Sequence, residues 1–543
     1  MKDDSRKTNA NVLPMRPAGP RTDPSGVQLL PQSAAVPAAN PNWNRRDPTP
    51  TPHSTPDGDA IAAAGDLLAA AGRRAAPGPA VASTPTAPPA TIRRRGPFVL
   101  ATVVLLGGTI AVAVVTVTPG ASTSPPAPPT PHAATPLAAP ASPAARGVTA
   151  DTITLGMSAA FSGSARELGG RMKLGLETAF FEVNDVGGVA GRKLKLLALD
   201  DGYEGPRALA NVKELIDRRG VFAILGNVGT PTTAAALPYV KEAQTLFLGA
   251  LTGARVSRPD PPDDHIWNFR PAYEVEIRQI VTYLVDDGRT HAGSVRHVPD
   301  GGLVVFAQTD SYGNAGFEAV QRVLRLLGRH EDVLRVGYDR GTVRVDDAIA
   351  RVLRHDASTV RTGPNEFARA HPVVAVVAVG TAAPTAAFVR QLRDHRVDAE
   401  VYSVSFVDAA ALAELLGELG PRYCPGVVVT EVVPHPGSGA PGVERYRAAL
   451  HRYHSELQPD PITLEGYLTG QLFVEAVRRA GRELTTASLI QALRGIQNLD
   501  LGIGDPVGFS ATSHDASQRV WATALDERCQ LQPFDEFRPA EGR

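Results

Sequence analysis

Ser510, His514, Asp515 and Ser517 fall within eight residues in GFSATSHDASQR, and hydroxyl, imidazole and carboxylate are the groups of nucleophilic hydrolysis. A working triad, however, is assembled from groups distant in the chain and oriented by packing, so four polar residues this close read as a hairpin turn. Asp200-Asp201 is a second candidate, since paired carboxylates can help hold a divalent cation. No third or fourth ligand accompanies them, and at the end of the apolar run Lys193–Leu199 they read as loop-capping residues near a cleft rim. Gly502-x-Gly504-x-x-x-Gly508 misses the dinucleotide spacing and lies in a Pro-containing turn. The chain holds no GxSxG elbow, no GxxxxGK(S/T) phosphate loop and no HExxH zinc helix. The expectation is a protein that is not an enzyme and uses neither cofactor nor metal.

The elements around these residues alternate in type. Thr152–Met157 reads as a strand, and after the turn FSGSARELGG the residues Met172, Gly175, Leu176, Ala179, Phe180 and Val183 keep the spacing of one helical face. Gly187 and Gly188 should end that helix, because glycine adopts the left-handed conformation such an end requires. Strand Lys193–Leu199, helix Pro206–Arg219, strand Val221–Leu225, helix Thr232–Glu242 and strand Thr245–Leu248 follow. A second series starts after Arg270. It runs helix Val275–Val285, strand Leu303–Phe306, helix Gly313–Leu327, a polar stretch, helix Asp346–Arg354, strand Val373–Val379, helix Pro384–Arg393 and strand Val401–Ser405. Alternation of this kind predicts an α/β fold with two parallel, doubly wound sheets in tandem. Ligands of open α/β sheets bind outside the carboxyl ends of the strands, so a cleft between the two series is where chemistry is expected.

Residues 98–118, FVLATVVLLGGTIAVAVVTVT, are 21 uncharged residues, enough for a helix to cross roughly 30 Å of hydrocarbon. Arg93, Arg94 and Arg95 precede the run, and Arg146 is the next charge after it, which predicts a cytoplasmic N-terminus and an outer C-terminal part. The domain expectation is therefore a disordered Pro/Ala-rich tail over 1–96, a transmembrane helix over 97–118 in the inner membrane, a Pro/Ala-rich linker over 119–147 and a periplasmic or extracellular domain over 148–543. A net charge of −1 gives no electrostatic footprint for nucleic acid. Cys424 and Cys529, both on the outer side, are either bridged or two buried thiols.

Asn184-Asp185-Val186-Gly187-Gly188-Val189-Ala190-Gly191-Arg192, a strand and Asp200-Asp201 then carry a resemblance to the type I periplasmic binding proteins, most closely to their branched-chain amino acid (Leu/Ile/Val-binding) branch. LGNVGTPTT (225–233) is similar to the family's loop after the third strand and LGALTGA (248–254) to the loop after the fourth. HIWNFRPAYE (265–274) resembles the first crossing into lobe two, DSYGNAGF (310–317) that lobe's first ligand loop, and VGFSATSHDASQRVWATAL the closing strands. The resemblance implies two Rossmann-like lobes joined by three hinge crossings, closing on a small molecule. Lobe one would take about 148–272 and 425–500, and lobe two about 273–424 with the C-terminal strands.

By position, the resemblance assigns carboxylate binding to Thr230, Thr252 and the backbone around Ala250, and closure over the ligand to Tyr312. Leu168 stands where the branch has an aromatic shelf, and Ser405 where it carries the acid that pairs with the ligand's ammonium. Burying an ammonium without its partner costs several kcal/mol. The ligand is therefore expected to be a small carboxylate or a related polar or aromatic metabolite and not a standard branched-chain amino acid, unless Glu167, Glu274 or Asp408 supplies a displaced acid and restores an amino-acid-like ligand. Three functions fit. The first is solute binding for uptake by ABC permease subunits, with the helix as tether; the others are a membrane-tethered sensor and a non-binding scaffold.

Overall fold

The computed structural model describes residues 145–285, 298–299, 301–329, 333–361, 367–369 and 372–537. The apolar run 98–118, the tail before it and the linker to residue 144 lie outside the described residues. Among the described residues no helix is long and apolar enough to cross a membrane.

The first half of the fold is a sheet of five parallel strands in the order β2-β1-β3-β4-β5. It is built from β1 (Thr152–Ala159), β2 (Lys193–Asp200), β3 (Ala223–Leu225), β4 (Leu246–Leu248) and β5 (Ile266–Trp267). Between them run α1 (Arg166–Asp185), α2 (Gly205–Lys213, continued by a π turn over Glu214–Arg218) and α3 (Thr230–Glu242). α1 ends where expected: Gly187 and Gly188 have φ of 99° and 78°, and the Gly188 amide donates to the Val183 carbonyl at 2.9 Å.

The second half has α4 (Tyr273–Val285), β6 (Leu303–Gln308), α5 (Ser311–Leu326), β7 (Leu334–Tyr338), α6 (Asp346–Asp356), a small hairpin of β8 (Thr359–Arg361) and β9 (Phe367–Arg369), β10 (Ala375–Val379), α7 (Ala382–Asp394), β11 (Glu400–Ser403), α8 (Ala409–Leu419) and β12 (Val427–Glu431). The chain then returns to lobe one as α9 (Pro441–Tyr453), α10 (Pro461–Ala480) and α11 (Thr486–Arg494), and finishes in lobe two as β13 (Trp521–Leu525) and β14 (Leu531–Pro533). The second sheet has the order β14-β13-β12-β11-β10-β6-β7, with β13 and β14 antiparallel to the rest. Its centre, AVVAV of β10, is buried at every position, as a strand covered on both faces must be.

Two sequence-based boundaries move. The polar stretch after α5 contains β7, an edge strand whose Arg335 and Leu334 are half-buried, so its apolar alternation is too weak to read. Val427–Glu431, placed in lobe one by a boundary at 425, pairs with β11 and β13 and belongs to the second sheet. The lobes are joined by three crossings, between β5 and α4, between β12 and α9, and between α11 and β13. A bridge between Asn268 and Asp515 ties the first crossing to the third. In lobe one α10 packs directly on α1. A Cβ added at Gly175 would lie 2.1 Å from the Thr463 carbonyl oxygen, which is why no larger residue fits there.

Candidate functional site

The carboxyl ends of both sheets face each other across the lobe boundary, and the loops that follow the strands form its two walls. Gly229 caps α3 with φ 102°, a conformation a side chain would strain, and Thr230 is the first helical residue. No side chain caps this helix. Pro231, the second helical residue, has no N–H, so the amides of Thr230 and Thr232 are the first that this helix start can offer. Thr252, in the loop after β4, brings its hydroxyl to within 2.8 Å of the Thr230 hydroxyl, and both residues are buried. Ala250 turns its methyl into the core of lobe one, while its carbonyl accepts from the Thr252 amide at 2.8 Å. Asn227, fully buried in the loop after β3, accepts from the Ser158 amide, but among the described residues its Nδ2 finds no acceptor.

Four aromatic rings close around the threonine pair. Tyr203, from the loop after β2, lies on Gly229, where an added Cβ would meet its Cε2 at 2.3 Å. Its ring stacks on Phe406 of lobe two at 6.2 Å and 30°. Phe406 packs on Tyr312 at 4.7 Å, and Tyr312 on Tyr273 at 5.5 Å. Tyr273 returns to lobe one, its amide donating to the Gly253 carbonyl at 2.8 Å beside Thr252. The annulus thus starts and ends on the two loops that carry Thr230 and Thr252. Tyr312 stands in the first turn of α5, whose leading amides are already satisfied by Asp310. A cleft of about 350 Å³ opens outward from Thr230 between the lobes, lined by Gly253, Arg255, Tyr273, Ser311 and Arg322 among others.

Behind the annulus lies a buried charge network. Arg270 is 0% exposed and grips Glu465 of α10 with two parallel bonds of 2.8 and 2.5 Å. Its third nitrogen donates to the Ser405 hydroxyl at 3.1 Å, and the Ser405 amide donates to Glu276 at 2.8 Å. Ser405 is therefore taken up by the network and offers its hydroxyl to Arg270. Burial pushes the Glu276 carboxyl up, against the pull of Arg270. Burial also pushes Glu431 well up, reinforced by the Glu276 charge. One oxygen of each, Glu276 Oε1 and Glu431 Oε1, accepts no hydrogen bond among the described residues.

The acid that does stand at the lobe boundary is Asp408. It is 1% exposed, holds a left-handed φ of 67° and caps α8 through Oδ1. Its Oδ2 faces the Arg171 guanidinium of α1 at 3.3 Å, an ion pair that spans the lobes. Burial pushes Asp408 up to about 6, opposed by Arg171. The other two displaced-acid candidates are elsewhere. Glu167 is exposed and pairs with Arg166, and Glu274 is bound by Arg322 at 2.7 Å. Leu168 is buried in the first turn of α1 and packs into the main core.

The remaining chemical candidates are structural. Asp515 pairs with Arg258 at 3.0 Å, and the His514 ring stacks on Trp267 at 3.7 Å and 11°, so this cluster secures the third crossing. Although burial opposes it, bonds donated by the Ser162 hydroxyl, the Phe161 and Gly202 amides and the Arg207 guanidinium hold the Asp200 carboxyl down to about 2. Asp201 is pushed up to about 6 by burial and caps the same loop through the Tyr203 amide. Among the described residues no group of His, Cys, Asp and Glu could hold a metal ion. Cys424 and Cys529 form a disulfide with Cα atoms 5.3 Å apart, linking the approach to β12 with the turn after β13.

Sequence reasoning did not single out Tyr203, Asn227, Arg270 or Phe406. Each is one unremarkable residue in a loop or crossing, and only burial beside the threonine pair marks it.

A "possible leucine/isoleucine/valine-binding protein" from Rhodopirellula baltica is 33% identical and superposes with a TM-score of 0.63 over 71% of this chain and 97% of its own. An "amino acid binding protein" of Pseudomonas aeruginosa is 25% identical over 336 residues, 61% of this chain and 79% of that relative. A Thermus thermophilus branched-chain amino acid transporter structure with bound valine shares the fold, with 16% identity and a TM-score of 0.59 over 72% of this chain and 99% of its own. The family model described as "periplasmic binding protein" matches residues 152–530. With two α/β lobes, three crossings and a ligand-sized cleft between strand ends, the chain belongs to the type I periplasmic binding proteins, beside their Leu/Ile/Val-binding members.

Proposed function

We propose that this protein is an extracytoplasmic solute-binding protein that closes on a small carboxylate or amino-acid-like ligand and serves ABC-type uptake. The observation that carries the reading is the pair of buried hydroxyls, Thr230 and Thr252, meeting at the uncapped start of α3 inside the aromatic annulus. Hydroxyls and helix-start amides stabilise a carboxylate without a full counter-charge. Asp408, whose Oδ2 accepts no hydrogen bond among the described residues, supports an ammonium partner on the opposite wall, shared with Arg171. The relative known as an amino acid binding protein supports the same class of ligand. Residues 98–118 serve in this reading as a membrane tether, with the Pro-rich segment 119–147 giving the domain reach toward a permease.

Calorimetric titration of leucine and of its des-amino analogue 4-methylpentanoate, into the wild type and into Thr230→Val and Thr252→Val, tests the site. Hydrogen bonds to a charged group are worth about 1.5–3 kcal/mol, so each valine variant should bind tenfold to a hundredfold more weakly. Equal affinity in the variants would remove the threonines from the site. Silence of the wild type toward amino acids and organic acids alike would sink the binding function.

A further inference from the structure

The loop after β11 enters the lobe boundary with both of its ends pinned. At one end the Ser405 amide is held by Glu276 at 2.8 Å and its hydroxyl by Arg270 at 3.1 Å. At the other, Asp408 caps α8 from a left-handed backbone and faces Arg171 across the boundary. Phe406 lies between these anchors, fully buried, and its ring is wedged between Tyr203 of lobe one and Tyr312 of lobe two. A ring held this way cannot swing aside without breaking the cap, the Ser405 bonds or the aromatic stack. It therefore takes up volume inside the lobe boundary, against Tyr203, the ring that in turn lies on Gly229 at the start of α3.

We propose that Phe406 is a specificity-determining residue: it fills the part of the cleft into which a bound ligand's side chain would project, and so limits the site to ligands with small substituents. The inference rests on Thr230 and Thr252 receiving the ligand's carboxylate, which sets the direction from which the side chain enters. Close-packed interiors do not yield space cheaply. A ligand branch that competes with a pinned ring must either be rejected or force the lobes apart.

The test compares affinities for alanine and leucine, and for propionate and 4-methylpentanoate, which carry the same side chains without the amine. They are measured on the full chain in detergent as wild type, Phe406→Ala and Phe406→Leu. The ratio of large-ligand to small-ligand affinity should rise at least tenfold in Phe406→Ala and by less in Phe406→Leu, in whichever pair binds. Binding of leucine or 4-methylpentanoate by Phe406→Ala, with the wild type binding only alanine or propionate, would support the proposal equally. A ratio that stays within twofold, with the wild type binding, would overturn the role of Phe406 and leave the carboxylate reading standing. Failure of every variant to bind either pair would overturn the carboxylate reading and this inference with it. If thermal melts show that Phe406→Ala does not fold, Phe406→Leu, which keeps most of the volume, decides by the same ratio.

Discussion

Arg270→Met should destabilise the protein strongly, and more so as pH rises. Arg270 is wholly buried at the first crossing, paired with Glu465 of α10 and bonded to Ser405, with Glu276 also within its field. Removing one member of a buried ion pair costs about 3–5 kcal/mol, because the partner stays buried without compensation. Here the methionine leaves Glu465, Glu276 and Glu431 together without the guanidinium that offsets them, so the upper end of that range is expected. Glu465→Gln should cost less, since Arg270 then keeps Glu276 as its counter-charge.

The pH dependence follows from the sign of the shift. Burial already holds the Glu276 and Glu431 carboxyls above their unfolded range, and without Arg270 to oppose it they rise further, so the variant loses stability as pH rises through the raised values. Its deficit relative to the wild type should be larger at pH 8 than at pH 5. Urea unfolding followed through Trp267, buried and stacked on His514 beside the same crossing, would read it, once calorimetry has shown that the two lobes unfold together. A loss under about 1 kcal/mol at both pH values, or a deficit that shrinks with rising pH, would refute the electrostatic reasoning.

Two further outcomes are expected. Breaking the Cys424–Cys529 bridge, which spans 105 residues, by Cys424→Ala or by reductant should cost about 4–5 kcal/mol on the chain-entropy model; melting curves that coincide with and without dithiothreitol would contradict it. Asp408, raised from 3.8 to about 6 by burial, contributes stability that is fully present below pH 3.8 and is lost as pH rises through 6, a change of about 3 kcal/mol. Asp408→Asn should flatten that stretch of the stability profile, with Arg171, Asp460 and Glu167 as the charges left around it; an unchanged slope between pH 4 and 6 would show that Asp408 does not titrate there.

The α/β class and the order of the elements were legible in the sequence because hydrophobic period is a local property. Strand Lys193–Leu199, the helix face from Met172 to Val183 and the glycine stop at Gly187 and Gly188 were all read from neighbours within a few residues. Where the local signal was half-strength the reading failed, as at the edge strand Leu334–Tyr338. The boundary at 425 failed for a different reason. Val427–Glu431 looks like any buried strand, and only its pairing with β11 and β13 assigns it to the second sheet.

The site divides the same way. Thr252 stands in a loop, and Thr230 and Tyr312 at helix starts, whose place after a strand is visible in the sequence, and the fold brings all three to one lobe boundary. That Thr230 leaves its helix uncapped, that Ser405 gives its hydroxyl to Arg270 and that Phe406 sits between rings from both lobes could not be read there. These contacts join residues from 22 to 203 positions apart, and which partner each side chain meets is decided by the packing of two lobes across three crossings. Sequence by itself determined the repeating strand–helix units and the loops that face the cleft; the tertiary structure alone decided which atoms in those loops are free to meet a ligand, because hydrogen bonding and burial are set by neighbours far away along the chain.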